Sequence, residues 1–166
     1  MQKPDRTDKR ADGVQLWLVL MKSFHSISAY AMQTLRDSGL SDSDFRVLEA
    51  LLHKGPLPVN VLGPKVFLTP GSISVAVDRL HGRGLVTRVE SEADRRVRIV
   101  DLTPKGRTLI EQVFAAHARE IDVLTQVLDP EERKKVTKAL KKLGKHAAEL
   151  LEDPENLDAK SAEKKR

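Results

Sequence analysis

The sequence predicts a mainly α-helical fold that carries a small β-hairpin between two sets of helices. Three observations predict it. Apolar residues recur at three- and four-residue steps before residue 38 and again after residue 104, as in amphipathic helices. Thr69-Pro70 pairs a hydroxyl cap with a proline at the first helical position, which marks a helix start. Two short apolar runs, 85–89 and 97–102, flank a polar loop and indicate a hairpin.

The first long helix is predicted from residue 12 to 37, after a disordered stretch at residues 1–11. Gly39 ends it, because glycine readily adopts the left-handed backbone that closes many helices. Ser41 or Asp42 then caps a second helix. The apolar face of this second helix is formed by Phe45, Leu48, Leu51 and Leu52.

The third helix is predicted to be short. Leu57-Pro58-Val59 is long enough only for a bridging strand, and Asn60 is the candidate cap of the helix that follows. Gly63-Pro64 fits poorly inside a helix, because proline is tolerated only in the first turn, so a short or partly 3₁₀ helix is expected. Thr69 caps the fourth helix, which runs to about Gly82. Its inward-facing residues would be Ile73, Val77 and Leu80.

Two further helices are predicted after the hairpin. Thr103-Pro104 repeats the cap-and-proline signal, and Asp129-Pro130 starts a last helix. The predicted organisation is a first helix, then a central domain over 38–103 in which helices precede a hairpin wing. C-terminal helices over 104–153 and a flexible tail over 154–166 follow.

The first and last helices carry apolar stripes that the central domain does not need to bury. We expect the helices in 12–37 and 104–153 to form a shared bundle with a second copy of the chain, which makes the protein a homodimer. The alternative is an intramolecular bundle within a monomer.

Basic residues are concentrated around the hairpin. The whole chain has 29 Lys and Arg against 24 Asp and Glu, a net charge of +5. Seven arginines lie between residues 79 and 107, which places the surplus where DNA phosphates would be attracted. The alternative is a solvated basic face, because a charge run alone is weak evidence.

Composition excludes several classes of protein. The chain has no cysteine, so it holds no disulfide, thiolate-zinc site or thiol redox sensor. It has no apolar run of membrane-spanning length and no secretory signal pattern, so a cytoplasmic protein without membrane partners is expected. No catalytic motif and no metal-binding histidine pair is present, so neither an enzyme nor a cofactor or metal is predicted.

Small polar side chains occupy the start of the fourth helix. Gly71, Ser72 and Ser74 would let its first turns enter a major groove about 12 Å wide. The hydroxyls of Thr69 and the two serines can bind phosphates or base edges, and the backbone N–H groups of the helix start add phosphate binding. Capping of the helix is expected for Thr69 in addition and is the alternative for the serines. These features predict a winged helix-turn-helix domain that binds double-stranded DNA.

Arginines on and near the hairpin are candidates for further DNA contacts. A narrow minor groove attracts an inserted arginine, and Asp94-Arg95-Arg96 offers two of them beside a carboxylate that would orient one. Arg98 shares the strand face of Arg96 and would add a phosphate contact. The alternative is a solvated hairpin tip.

Two other arginines have two open roles each. Arg79 would touch phosphate, or pair with Asp78 or an acid of the wing. Arg88 would bind phosphate, or pair with a neighbour within the hairpin.

An ordered set of motifs resembles the MarR family of bacterial transcription regulators over about residues 14 to 150. These motifs are Leu40-Ser41, Phe45 to Leu51, Leu68 to Ser74, Asp78-Arg79-Leu80, Gly84 to Arg88, Asp94-Arg95-Arg96 and Leu102 to Gly106. The run from Val66 to Ile73 further resembles a quinone- and hydroquinone-responsive branch. Gly63-Pro64 departs from the family, in which a Leu-Ala pair is common in the third helix, and this puts the shape of that helix in doubt.

The resemblance implies a homodimeric regulator, a repressor by default, whose two wings and recognition helices read a palindromic operator. It places Arg96, with Arg95 as its neighbour, at or near the minor groove. It also implies a small aromatic or phenolic effector bound near the first two helices, with candidate contacts from His25, Tyr30, Phe45 and Arg46. The alternative function is a winged domain that binds proteins without sequence-specific DNA binding.

Overall fold

The computed structural model describes residues 9–90, 94 and 96–152, with side chains from residue 12 onward. It confirms a mainly α fold with a small β wing. The elements in chain order are α1 (Lys9–Gln33), a 3₁₀ turn (Arg36–Ser38), α2 (Asp42–Lys54), β1 (Leu57–Pro58), α3 (Val59–Lys65), α4 (Pro70–Gly82), β2 (Val86–Glu90), β3 (Arg98–Leu102), α5 (Pro104–Thr125) and α6 (Pro130–Glu152).

One apolar core joins α2, α3, α4 and the sheet. Leu48 and Leu51 of α2, Leu62 of α3 and Leu80 of α4 are fully buried in it, together with Val100 of β3. The predicted inward face of α4 is confirmed, since Ile73, Val77 and Leu80 are all buried. The same packing leaves the opposite face of α4 exposed.

The first helix differs from the prediction at both ends. Its helical turns begin at Lys9 rather than residue 12, so residues 9–11 belong to α1. It ends at Gln33 rather than residue 37, and the Thr34 hydroxyl then donates to the Ala31 carbonyl at 2.7 Å. This local hydrogen bond competes with continued helix, and the chain turns through Arg36–Ser38 instead.

Two of the three predicted helix caps of the central domain are confirmed, at α2 and α4. Ser41 caps α2 in a capping box, in which the Asp44 N–H donates to the Ser41 hydroxyl and the Ser41 N–H donates to the Asp44 carboxylate. Thr69 caps α4 by accepting from the Ser72 N–H at 3.2 Å, and Pro70 fills the first helical position.

The third helix is short, as predicted, but its limits and its proline differ. Pro58 rather than Asn60 precedes its first turn, and Pro64 lies inside the helix, which ends one residue later. Gly63 is explained by packing, because a Cβ there would lie 3.3 Å from Cγ2 of Ile73. An alanine at 63 would require Ile73 of α4 to shift by a few tenths of an ångström.

The wing is part of a three-stranded antiparallel sheet in the order β1-β3-β2. Leu57 of β1 lies opposite Val100, which confirms the bridging strand. Val86 lies opposite Leu102 across the hairpin, and Glu90 lies opposite Arg98 at its outer end.

The described residues divide into two compact units, of which the first ends at Ile121 and the second begins at Asp122. The first unit holds α1, the central helices, the sheet and most of α5. The second holds the end of α5 and α6, an amphipathic helix with no buried residue. Among the helices of the described residues, none is long and apolar enough to cross a membrane.

Candidate nucleic-acid interface

The start of α4 presents small polar groups on its surface. Gly71, Ser72 and Ser74 are all exposed. The Thr69 hydroxyl donates to the Ser72 hydroxyl at 2.8 Å, and the Ser74 hydroxyl donates to the Pro70 carbonyl at 2.9 Å. These bonds orient the hydroxyls without burying them, so their oxygens remain available to an external donor.

Arg79 lies further along α4 and reaches the start of α2. Its Nε is 3.0 Å from both carboxylate oxygens of Asp44, and its Nη2 is 2.7 Å from Oδ1. Nη2 also lies 3.0 Å from the hydroxyls of Ser41 and Ser43. The sequence predicted either a phosphate contact for Arg79 or an ion pair with Asp78 or an acid of the wing. The acid that Arg79 pairs with is instead Asp44 of α2.

The Asp44 carboxyl is buried, with 2% of its surface exposed. Burial opposes its ionisation, but hydrogen bonds from Arg79 and Ser41 outweigh that effect and hold the pKa of Asp44 below its usual value. The carboxylate is therefore ionised at neutral pH and remains available to bind the guanidinium.

Arg88 of β2 joins the wing to α4. Its Nη1 forms an ion pair with Oδ1 of Asp78, which projects from α4. The Arg88 side chain is 26% exposed, and Asp78 is 62% exposed. The sequence predicted a pairing within the hairpin as one option, and the partner instead belongs to α4.

At the outer end of the wing, Asp94 holds Arg96. Arg96 donates from Nε to Oδ1 and from Nη2 to Oδ2, each at 3.1 Å, and its side chain is 91% exposed. These hydrogen bonds lower the pKa of Asp94. Arg98 is also exposed, whereas Arg95 lies outside the described residues.

A groove of about 510 Å³ separates α4 from the wing. Its floor includes the buried residues Ile73 and Val77, and its rim includes Arg88, Arg96 and Arg98. The arginines at this rim attract negative charge, such as that of a nucleic-acid backbone.

A second cavity, a cleft of about 960 Å³, lies between α1, α2 and the segment that precedes α4. Of the four effector contacts predicted from sequence, Phe45 and Arg46 line it. His25 is exposed on α1 and outside the lining, and the Tyr30 hydroxyl donates to Glu120 Oε2 at 2.8 Å. The structure thus brings two of the four together.

Two histidines of the cleft were missed by the sequence analysis. His53 lies in the last turn of α2, and its ring is edge-on to the Phe114 ring with centroids 4.7 Å apart. His117 of α5 lies beside Phe45 with ring centroids 4.8 Å apart. No local motif singles out His117, because it reaches the cleft from a helix far away in sequence.

The protonation of the His117 ring is influenced by a hydrogen bond to Thr34 and by burial. Its Nδ1 is 2.6 Å from the Thr34 hydroxyl, whose own proton goes to the Ala31 carbonyl. Both contacts of the hydroxyl are satisfied together when its oxygen accepts from Nδ1–H, and in the neutral ring this tautomer leaves Nε2 as an acceptor. Burial lowers the pKa of His117, despite the opposing charge of Glu49, and so favours this neutral form.

An exposed helix start of small polar residues, together with an arginine-bearing wing, defines a winged helix-turn-helix DNA-binding protein. The model of the MarR family matches residues 38–97. The chain is also 38% identical to the HTH-type transcriptional regulator MhqR of Bacillus subtilis over 137 residues, which cover 82% of this chain and 94% of that protein. The chain belongs to the MarR family, and it is a transcriptional regulator rather than an enzyme.

Solved structures agree with this assignment. BldR of Sulfolobus solfataricus has a TM-score of 0.74 at 26% identity and covers 84% of this chain and 99% of its own. BpsR of Bordetella bronchiseptica, described with regulation of its DNA binding by 6-hydroxynicotinic acid, has a TM-score of 0.71 at 28% identity. It covers 78% of this chain and 98% of its own.

Proposed function

We propose that the protein is a dimeric repressor that binds a palindromic operator and is released by a small hydroxylated aromatic compound. The observation that carries the DNA-binding part is the joint exposure of the α4 start and the Arg96 wing tip within one compact unit. Binding to DNA places the protein in the cytoplasm with the chromosome.

The DNA contacts are divided between two grooves. Gly71, Ser72 and Ser74 enter the major groove, and free N–H groups of the helix start bind the flanking phosphate next to the Thr69 cap, whose hydroxyl proton is held by Ser72. The wing reaches the neighbouring minor groove through its exposed arginine tip, which Asp94 orients. The wing arginines that contact DNA are Arg88, Arg95, Arg96 and Arg98, and Asp94 acts through Arg96.

Two exposed apolar helix faces support dimerisation. On α1, Trp17 and Phe24 are 59% and 62% exposed, and on α6, Leu140 and Leu143 are 46% and 41% exposed. Large apolar groups in such numbers are unfavourable in water, so each face is covered by a second copy of the chain. The two recognition helices of the dimer then meet half-sites about one helical turn, roughly 34 Å, apart.

The cleft supports a hydroxylated aromatic effector. Phe45 offers an aromatic wall and the neutral His117 ring an acceptor nitrogen for a phenolic hydroxyl. Arg46 lines the cleft with its guanidinium paired to Asp42 and offers its remaining N–H donors. The structurally similar BpsR is described as regulated by 6-hydroxynicotinic acid, an aromatic compound with a hydroxyl group. The cleft also borders Val66 and Phe67, just before α4, so that an occupant would contact the segment that sets the start of the recognition helix.

Selection from a random duplex library tests the DNA-binding proposal. The wild-type chain should enrich an inverted repeat whose half-sites are separated by about one turn of DNA. A Ser72→Asp, Ser74→Asp double variant should enrich nothing, because carboxylates at the helix start would repel the phosphates. Failure of the wild-type chain to enrich any sequence, while it still captures a protein partner, would favour the interaction-module alternative.

A further inference from the structure

An ion pair between α4 and α2 bears on the orientation of α4, the recognition helix. Among the described residues, Asp44 is the charged side chain that is buried, and it lies in the first turn of α2. Arg79 comes from α4 and meets this carboxylate with Nε and Nη2. The Arg83 side chain lies on the same side, with Nη1 3.9 Å from Oδ2 of Asp44.

The contact between Asp44 and Arg79 has a defined geometry because the buried charge must be compensated. A buried carboxylate costs several kcal/mol unless a cation and hydrogen bonds compensate it. The planar fork of an arginine supplies two parallel hydrogen bonds to one carboxylate, which fixes direction as well as distance. Arg79 also donates to the hydroxyls of Ser41 and Ser43, so its Nε and Nη2 are both directed at α2.

We propose that Arg79 is a positioning residue that sets the angle of α4 on α2 through Asp44 and does not itself bind a phosphate. This inference rests on the proposed DNA-binding function. It assigns the pair a role in sequence recognition, because only bases that meet the helix start at the correct angle are bound well.

Because Arg79 lies far from the start of α4, a small change of helix angle at Arg79 moves the helix start by a larger distance. Arg79 is ten residues beyond Thr69, about 15 Å along the helix axis. A tilt of about 5° at this anchor would displace the helix start by about 1 Å, enough to break a hydrogen bond to a base edge. The attraction between arginines and phosphates is less sensitive to a displacement of this size. A tilt of α4 should therefore reduce the affinity for the selected sequence more than the affinity for DNA in general.

Four variants test the proposal on the duplex that the wild-type chain selects and on a scrambled duplex of equal length. They are Arg79→Lys, Arg79→Gln, Asp44→Asn and the Arg79→Gln, Asp44→Asn double variant. Lysine keeps the charge but lacks the fork. We therefore expect Arg79→Lys and Arg79→Gln to weaken binding to the selected duplex by a similar factor, about tenfold or more. Binding to the scrambled duplex should change by less than about twofold, and the salt slope should be unchanged.

The double variant should lose no more affinity than either single variant, because each removes the same contact. Circular dichroism and thermal unfolding check that each variant is folded. If Asp44→Asn does not fold, the comparison of Arg79→Lys with the wild-type chain tests the proposal alone, because position 79 is half-exposed. A near-wild-type Arg79→Lys together with a salt slope reduced by about one in Arg79→Gln would overturn the proposal and make Arg79 a phosphate contact. If the wild-type chain selects no duplex, the proposed function itself fails.

Discussion

A Cβ atom placed on Gly106 would lie 1.9 Å from the carbonyl oxygen of Leu85, so the first turn of α5 packs directly on the backbone that leads into the wing. The same carbonyl accepts the Thr103 N–H at 3.0 Å. The Lys105 ammonium donates to the Arg83 carbonyl, also at 3.0 Å. The junction between α5 and the wing therefore depends on a residue without a side chain.

Gly106→Ala should destabilise the protein by roughly 1–3 kcal/mol or more, because the obstructing atom is backbone and cannot rotate away. Urea unfolding at pH 7 measures this. The matched control is Gly82→Ala in the last turn of α4, where an added Cβ meets nothing within 4 Å. That substitution should be neutral or should stabilise by up to about 1 kcal/mol through helix propensity. Equal effects of the two substitutions would contradict the packing described at Gly106.

The wing tip should contribute about one ionic contact to DNA. Arg96→Ala should weaken binding to the selected duplex and reduce the slope of log affinity against log salt by about one. Asp94→Ala should also weaken binding but leave that slope unchanged, because it removes the orienting group and not the cation. Lys134→Ala, at a position of α6 where the side chain is 79% exposed, serves as the control and should leave both quantities unaltered. If Arg96→Ala kept the wild-type slope of log affinity against log salt, the wing tip would not contact DNA.

Stability should depend on pH through Asp44. Its pKa is lower in the folded chain than the value of about 3.9 in unfolded chains, so its contribution is present above about pH 4. It is lost as pH falls through the folded pKa. Asp44→Asn should cost about 2 kcal/mol at pH 7, and the difference from wild type should shrink in acid. Urea midpoints from pH 7 to 3 measure this, and a difference that does not narrow would refute the assignment.

Effector binding should depend on His117 more than on the histidine that the sequence suggested. His117→Phe keeps the ring beside Phe45 but removes the acceptor nitrogen, so hydroxybenzoates should bind about tenfold more weakly. His25→Phe, outside the cleft lining, is the matched control and should bind them as wild type does. Calorimetry with a series of hydroxybenzoates gives the affinities. A larger loss in His25→Phe would place the effector elsewhere.

Much of the central domain could be predicted because its signals are local. The caps Ser41 and Thr69 act on N–H groups three residues away, and both were found by reading neighbouring residues. The length of α1 was less predictable, because its end depends on a Thr34 hydroxyl bond and on the burial of Leu35, at 2% exposure. Pattern alone does not show which of several possible helix ends the packing selects.

The site was predicted best where it is contiguous in sequence and least where it converges from distant elements. The start of α4 and the wing tip each lie within a short segment. The partners Asp44 and Arg79 are 35 residues apart, and Thr34 and His117 are 83 apart. Such pairs are set by how helices pack together, and no spacing rule connects them.

The most direct test of the central claim is the affinity of the wild-type chain for its selected duplex and for a scrambled duplex, measured side by side at about 150 mM salt. Recognition by the α4 start and the wing predicts a ratio of at least about 10³, lost when the half-site spacing is changed by about half a turn. Equal affinities for the two duplexes would contradict it and leave only charge-driven binding to nucleic acid.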